Sequence, residues 1–189
     1  MVDLIAFYTQ PADESGASPQ IVLLRELPRG VQVLGGTGFD IRGILQLNRT
    51  NPVVIPVGRA CQRLHFLHAA SQPAKFNREQ LGTYQVTYAS GTNVAVSLLN
   101  PDDVPPYSAH WFHAVSPLAW ANASSELRYT NTTVWSGSAP GPAGRNGTLF
   151  LTRTTWDLPE SHQGEIVQTI ELRGGSAESV PLVFAITVE

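Results

Sequence analysis

Nowhere in this chain do apolar residues recur at the three-to-four-residue spacing of an amphipathic helix, and its 14 prolines and 16 glycines are spread too evenly to leave room for a long one. What remains is a series of short apolar runs between turn residues. Residues 2–8 and 20–25 read as strands, with the Pro- and Ser-containing stretch between them as a loop. Phe39, Ile41, Leu45 and Leu47 fit a one-sided strand after Gly35-Gly36 and Gly38. In 62–68, Leu64, Phe66 and His68 fall on one face and Arg63, His65 and Leu67 on the other. The clearest hairpin alternates through Tyr84, Val86 and Tyr88, turns at Ser90-Gly91 and returns through Val94, Val96 and Leu98. Residues 148–156, 165–172 and 180–188 supply three more strands.

About ten strands with turns near every dozen residues predict an all-β, two-sheet antiparallel β-sandwich of the jelly-roll kind with little helix. The missing crossover helices exclude a parallel α/β sheet. One domain spanning 1–189 accommodates the whole chain, since sandwiches of this length do not need to divide. The Pro- and Asp-rich 101–106 stretch and the Ser-, Gly-, Pro- and Asn-rich 131–147 stretch are expected as long surface loops.

A formal net charge of -3 offers no positive field for phosphates, so a nucleic-acid partner is not expected. No run approaches the roughly 18 apolar residues of a membrane helix, and Met1-Val2-Asp3 lacks the basic start of a signal peptide. Cys61 is the single cysteine, so stability must come from packing, and its apolar setting points to a buried, inert thiol. Sequons at Asn48, Asn122, Asn131 and Asn146 match what Ser/Thr-rich β proteins produce by chance.

Several phrases carry a resemblance. Asp3-Leu4 with Tyr8, Leu27-Pro28-Arg29-Gly30, Phe39-Asp40-Ile41-Arg42-Gly43, Ile55-Pro56-Val57-Gly58-Arg59 and Leu64-His65-Phe66-Leu67-His68 form the first half of the set. Gly82-Thr83-Tyr84, Leu149-Phe150-Leu151, Thr155-Trp156 and Val180-Pro181-Leu182-Val183 form the second. Together, over nearly the whole chain, they resemble a bacterial accessory domain of large extracellular proteins, often found beside glycoside hydrolases. That resemblance implies a galactose-binding-like jelly roll, a parent protein with neighbouring domains, a secreted or cell-surface location and a sugar ligand. The chain departs from the pattern at Ala109-His110-Trp111-Phe112, where an acidic residue and a Trp pair are usual, and at Asp157-Leu158-Pro159, which replaces a Glu-Asn-Pro run.

Sugar faces stack on aromatic rings while their hydroxyls need paired donors and acceptors. Tyr107, His110, Trp111, Trp120 and Trp135, read as loop residues among polar neighbours, are the candidate carbohydrate-binding set, and Trp156 at a strand end is assigned to the core. His65 and His68, like His110 and His113, are three apart, which on a strand sends the side chains to opposite faces. A metal site would need one histidine from each pair with His162 or a carboxylate, and Asp102-Asp103 is the run best suited to a structural Ca²⁺. Asp40, Asp157 and Glu165 are candidate catalytic carboxylates, although Asp40 is expected to pair with Arg42 or Arg59. No common catalytic motif is present. The leading expectation is a non-catalytic polysaccharide-binding module. A structural or protein-interaction domain is the first alternative and a metal-dependent polysaccharide-active enzyme the second.

Overall fold

A computed structural model describes residues 1–11, 27–71, 79–99, 113–115, 119–121, 128–140, 146–175 and 179–189. Among them the chain is almost entirely β. In order come β1 (Gln10–Pro11), β2 (Gly30–Leu34), β3 (Thr37–Ile41), β4 (Gly43–Gln46), β5 (Val53–Ala60), β6 (Arg63–Ala70) and β7 (Gln80–Tyr88). Then follow β8 (Asn93–Leu99), β9 (His113–Val115), β10 (Ala119–Ala121), β11 (Arg128–Pro140), β12 (Asn146–Asp157), β13 (Ile166–Gly174) and β14 (Pro181–Val188). A seven-stranded sheet runs β1-β4-β14-β6-β12-β11 with β9 also on β12, a five-stranded sheet runs β10-β8-β7-β13-β5, and β2 and β3 form a separate hairpin. Every pairing is antiparallel except the short β9–β12 contact.

The larger sheets face one another across a common apolar cluster, a sandwich-like arrangement. Leu64, Phe66, Trp156, Val183 and Ile186 of the seven-stranded sheet meet Ile55, Tyr84, Val86, Val96, Leu98, Ile170 and Leu172 of the five-stranded one. Phe66 and Tyr84 stack across the gap with ring centroids 4.9 Å apart. A second cluster lies on the other face of the seven-stranded sheet. There Leu34, Phe39 and Ile41 of the β2–β3 hairpin cover Leu67, Ala69, Leu149, Leu151 and Phe184. Thr187 Oγ1 donates to Gly38 O at 2.6 Å, and the Arg153 guanidinium donates to Gly35 O, so the turn end of the hairpin is tied to the sheet. Gly35 has φ 59, a conformation that favours glycine, and a Cβ there would sit 2.6 Å from Val134 Cγ1.

Four expectations are corrected. Residues 2–8 form no strand: Asp3 Oδ1 accepts the Ile5 N–H and turns the chain into a short 3-10 turn, Ile5–Phe7, leaving only a bridge from Val2 to Ile186. The run from Phe39 to Leu47 breaks at Arg42 into β3 and β4, sending Phe39 and Ile41 to the hairpin layer and Leu45 and Leu47 to the inter-sheet core. Gly30–Leu34 is a strand that the sequence reading did not mark. The described residues of the 131–147 stretch are strand rather than loop, because 131–140 belongs to β11 and 146–147 to β12, paired from Arg128↔Asp157 to Pro140↔Asn146. Its Thr-rich first half suits a strand on polarity and β-branching, which the Gly and Pro content obscured. The 20–25 strand lies outside the described residues.

The inter-sheet core holds one buried histidine. His68 Nδ1 lies 3.1 Å from Tyr84 Oη and Nε2 lies 2.9 Å from Thr154 Oγ1, whose hydroxyl in turn donates to Asn131 Oδ1 at 2.6 Å. Since Thr154 spends its proton on Asn131, it must accept from His68, which fixes the Nε2–H tautomer and makes Tyr84 the donor to Nδ1. Burial lowers the His68 pKa to about 3, so the ring is neutral across ordinary pH. Thr154→Val keeps the shape but orphans the Nε2–H, and is expected to cost about 1–3 kcal/mol in urea unfolding. Phe66→Ala opens a cavity and should cost about 3–5 kcal/mol, whereas Val33→Ala, at a position 73% exposed, should stay within about 0.5 kcal/mol of the parent.

Candidate functional site

The seven-stranded sheet exposes one polar corner beyond the hairpin. Registers Arg63↔Asp157 and Asp157↔Arg128 place three charged residues in a single row across β6, β12 and β11. Arg63 Nε donates to Asp157 Oδ1 at 2.6 Å, and its Nη1 stands 3.5 Å from Glu189 Oε1. In the next row inward, His65 Nε2 lies 2.8 Å from Glu189 Oε2 and Nδ1 lies 3.0 Å from Thr155 Oγ1. A carboxylate can only accept, so His65 donates through Nε2. The hydrogen bond from His65 is the main reason the Glu189 carboxyl is held below its ordinary pKa. The Arg128 side chain has no hydrogen bond or ion pair among the described residues.

Over this row opens a cleft of about 590 Å³. Its polar lining includes Gln62, Arg63, Arg128, Asp157, Glu160 and Gln163, while Leu158 and Pro159 add an apolar patch. Among the described residues two cations and two anions make the charged lining balanced. The far wall is the 3-10 turn Glu160–His162, set in place by Leu158 N donating to Gln62 O and His162 N to Pro159 O. Behind it, His162 stacks on Tyr88 with centroids 4.2 Å apart, and His162 Nδ1 donates to Glu165 Oε2 at 2.8 Å. Glu165 Oε1 accepts the Ser90 N–H at 2.8 Å. These two partners, Ser90 first and His162 second, hold the Glu165 carboxyl below its ordinary pKa.

Tyr107, His110 and Trp111 lie outside the described residues, as does Asp102-Asp103. Trp120 and Trp135 stand on strands rather than loops: Trp120 pairs with Leu98 in the β10–β8 ladder, and Trp135 with Leu151 after a bulge at Val134. The Trp135 indole lies over Gly137, where a Cβ would come within 2.4 Å of the ring, and it packs half-buried against the hairpin cluster. Trp156 is fully buried in the inter-sheet core, as its place at a strand end implied. Cys61 is buried and its thiol pKa is pushed up to about 11 by that burial, an inert group.

His65 and His68 do point to opposite faces. Among the described residues no group of three His, Cys, Asp or Glu side chains is arranged to hold a metal ion. Of the three carboxylates, Asp40 accepts from Arg42 Nε at 2.9 Å as expected, Asp157 is tied to Arg63 and Glu165 to Ser90 and His162. No helix among these residues is long and apolar enough to cross a membrane. Neither family models, nor curated proteins, nor solved structures yield a match to this chain.

Arg128, Gln62 and Gln163 escaped the sequence reading, because nothing local marks a polar residue that borders a cleft only through pairing with strands distant in sequence. Asp157-Leu158-Pro159 was the one available signal, as a departure from the resembled pattern. Because the Glu165 pKa is depressed, its contribution to stability is complete above the ordinary glutamate pKa and drains away as pH falls through the native value. Glu165→Gln should therefore flatten the fall in melting temperature between about pH 5 and pH 3, measured by calorimetry.

Proposed function

We propose that this chain is a non-catalytic carbohydrate-binding module, built on a jelly roll and belonging to a larger secreted or cell-surface bacterial protein. The observation that carries this reading is the electrically balanced cleft over the Arg63–Asp157–Arg128 row. A neutral polysaccharide brings hydroxyls that each donate and accept, and the cleft offers donors on Arg128 and acceptors on Asp157 and Glu160, with side-chain amides of Gln62 and Gln163 doing both. Leu158 and Pro159 give C–H surface to the apolar face of a sugar ring. Pre-existing bonds from Arg63 to Asp157 and Glu189 hold the anchoring carboxylate in place, so little ordering is needed on binding.

In this reading Tyr107, His110 and Trp111, marked by the sequence and outside the described residues, add ring stacking to the hydroxyl recognition of the cleft. A docking role toward neighbouring domains of the parent protein draws support from one feature. Val31 and Val33 stand on one face of β2 at 63% and 73% exposure, apolar surface that a neighbouring module would cover.

Affinity electrophoresis against a panel of neutral polysaccharides tests the proposal. The parent protein should be retarded by at least one of them. Arg128→Ala should weaken the interaction roughly ten- to one-hundredfold, the range for losing a hydrogen bond from a charged donor. Retardation kept in Arg128→Ala but lost in Trp111→Ala would move the site from the cleft to the loop aromatics. No retardation on any matrix would overturn sugar binding and leave the docking role.

A further inference from the structure

The far end of the five-stranded sheet carries a second cleft, about 320 Å³, cationic where the first is balanced. Among the described residues its charged lining consists of Arg49 and Arg173, joined by Gln80 and Thr83, and includes no carboxylate. Its floor is backbone. Gly82, Gly174 and Gly175 bring three segments together so closely that a Cβ would fall 2.4 Å from Arg173 O at Gly82, 2.9 Å from Leu47 O at Gly174 and 2.9 Å from Gln80 O at Gly175. Any side chain there would force the segments apart, so the glycines make the cleft compact and leave its walls to the two arginines.

The arginines are held from below. Asn48 Oδ1 accepts from both the Thr50 N–H and the Thr50 hydroxyl, each at 2.8 Å, which tightens the turn that presents Arg49. Gly174 N donates to Asn48 O at 3.1 Å, tying that turn to the end of β13 where Arg173 sits. Arg173 leans along its own strand, with Nη2 2.9 Å and Nε 3.3 Å from Glu171 Oε1. That pairing offsets one charge and uses Nε and Nη2, leaving Nη1 without a bond to Glu171. Arg49 has no hydrogen bond or ion pair among the described residues, and neither does the Thr83 hydroxyl. Gln80 Nε2 makes only a 3.5 Å contact with Ser97 Oγ.

We propose that this cleft binds the oxyanion of a small ligand, with Arg49 as the main charged contact, Arg173 as the second guanidinium, and Thr83 and Gln80 as neutral donors. Planar guanidinium forks match carboxylate and tetrahedral oxyanions alike, so the shared chemistry covers the carboxylate of an acidic sugar and a sulfate or phosphate group. The site is separate from the neutral cleft over Asp157. β13 runs between them, and its nine residues span roughly 25 Å at strand rise. A molecule holding both sites would thus recognise a neutral stretch at one end and a charged group at the other.

Titration of the full chain at low ionic strength, followed by backbone and arginine Nε–H NMR shifts, tests the assignment. Sodium glucuronate, sodium sulfate and inorganic phosphate are the anionic arms and glucose is the neutral one. Saturable shifts confined to Arg49, Gln80, Thr83, Arg173, Gly174 and Gly175 are expected with an anion and not with glucose. Arg49→Gln should weaken binding at least fivefold, with Arg173→Gln acting in the same direction; both side chains are exposed, so the fold is retained. Arg59→Gln, an exposed arginine paired with Val167 at the opposite end of β13, should leave it unchanged. Tighter binding of glucuronate assigns an acidic sugar, and tighter binding of sulfate or phosphate assigns an ester. Shifts that rise linearly to about 50 mM anion, or that persist unaltered in Arg49→Gln, would overturn the proposal while leaving the neutral cleft untouched.

Discussion

Burial of β6 on both of its faces is the constraint from which the rest of the structure follows. Leu64, Phe66 and Ala70 point into the inter-sheet core, and Leu67 and Ala69 point beneath the hairpin. A strand covered on two sides cannot show a clean alternation of polar and apolar residues, and Arg63–Ala70 does not: every residue in it after Arg63 is buried. Its neighbours inherit the same demand. β12 supplies Trp156 to one side and Leu149 and Leu151 to the other, while β14 supplies Val183 and Ile186 to one and Leu182, Phe184 and Ala185 to the other. The layering of hairpin, seven-stranded sheet and five-stranded sheet is the arrangement that removes all of this surface from water.

Double burial also governs the polar residues of β6. A histidine on either face must find partners among its neighbours, because water does not reach it. His68 does so through Tyr84 and Thr154, in a chain of donors that ends at Asn131 on the exposed strand β11. His65 does so through Thr155 and Glu189, and in doing so orients the carboxylate that steadies Arg63 at the cleft. The same strand therefore links the packing of the core to the electrostatics of the candidate site. One of its histidines closes a buried network, and the other supports a surface one.

The two clefts differ because of what the strand ends bring. At the Arg63 end, adjacent strands set opposite charges side by side, and the wall of the 3-10 turn adds Glu160, giving a balanced surface suited to hydroxyls. At the Gly174 end the strands converge backbone to backbone on glycines, and among the described residues the charged side chains that line the opening are arginines. Neither property belongs to one strand. Each arises where segments far apart in the chain are brought into register.

The all-β character was legible in the sequence, since short apolar runs and evenly spread Pro and Gly admit no other class, and so were the 84–98 hairpin, the buried Trp156 and Cys61, and the divergence of His65 from His68. These are local properties: alternation and turn chemistry act over a few residues, and a period of two fixes which face a side chain takes. The hairpin layer, the β11 strand hidden in a Thr-, Ser- and Gly-rich stretch, and the gathering of Arg63, Asp157 and Arg128 were decided only by tertiary structure. Charges at positions 63, 128 and 157 become neighbours through strand pairing over distances of 29 to 94 residues, and the energy that selects that pairing lies in the apolar faces beneath them rather than in the charges themselves.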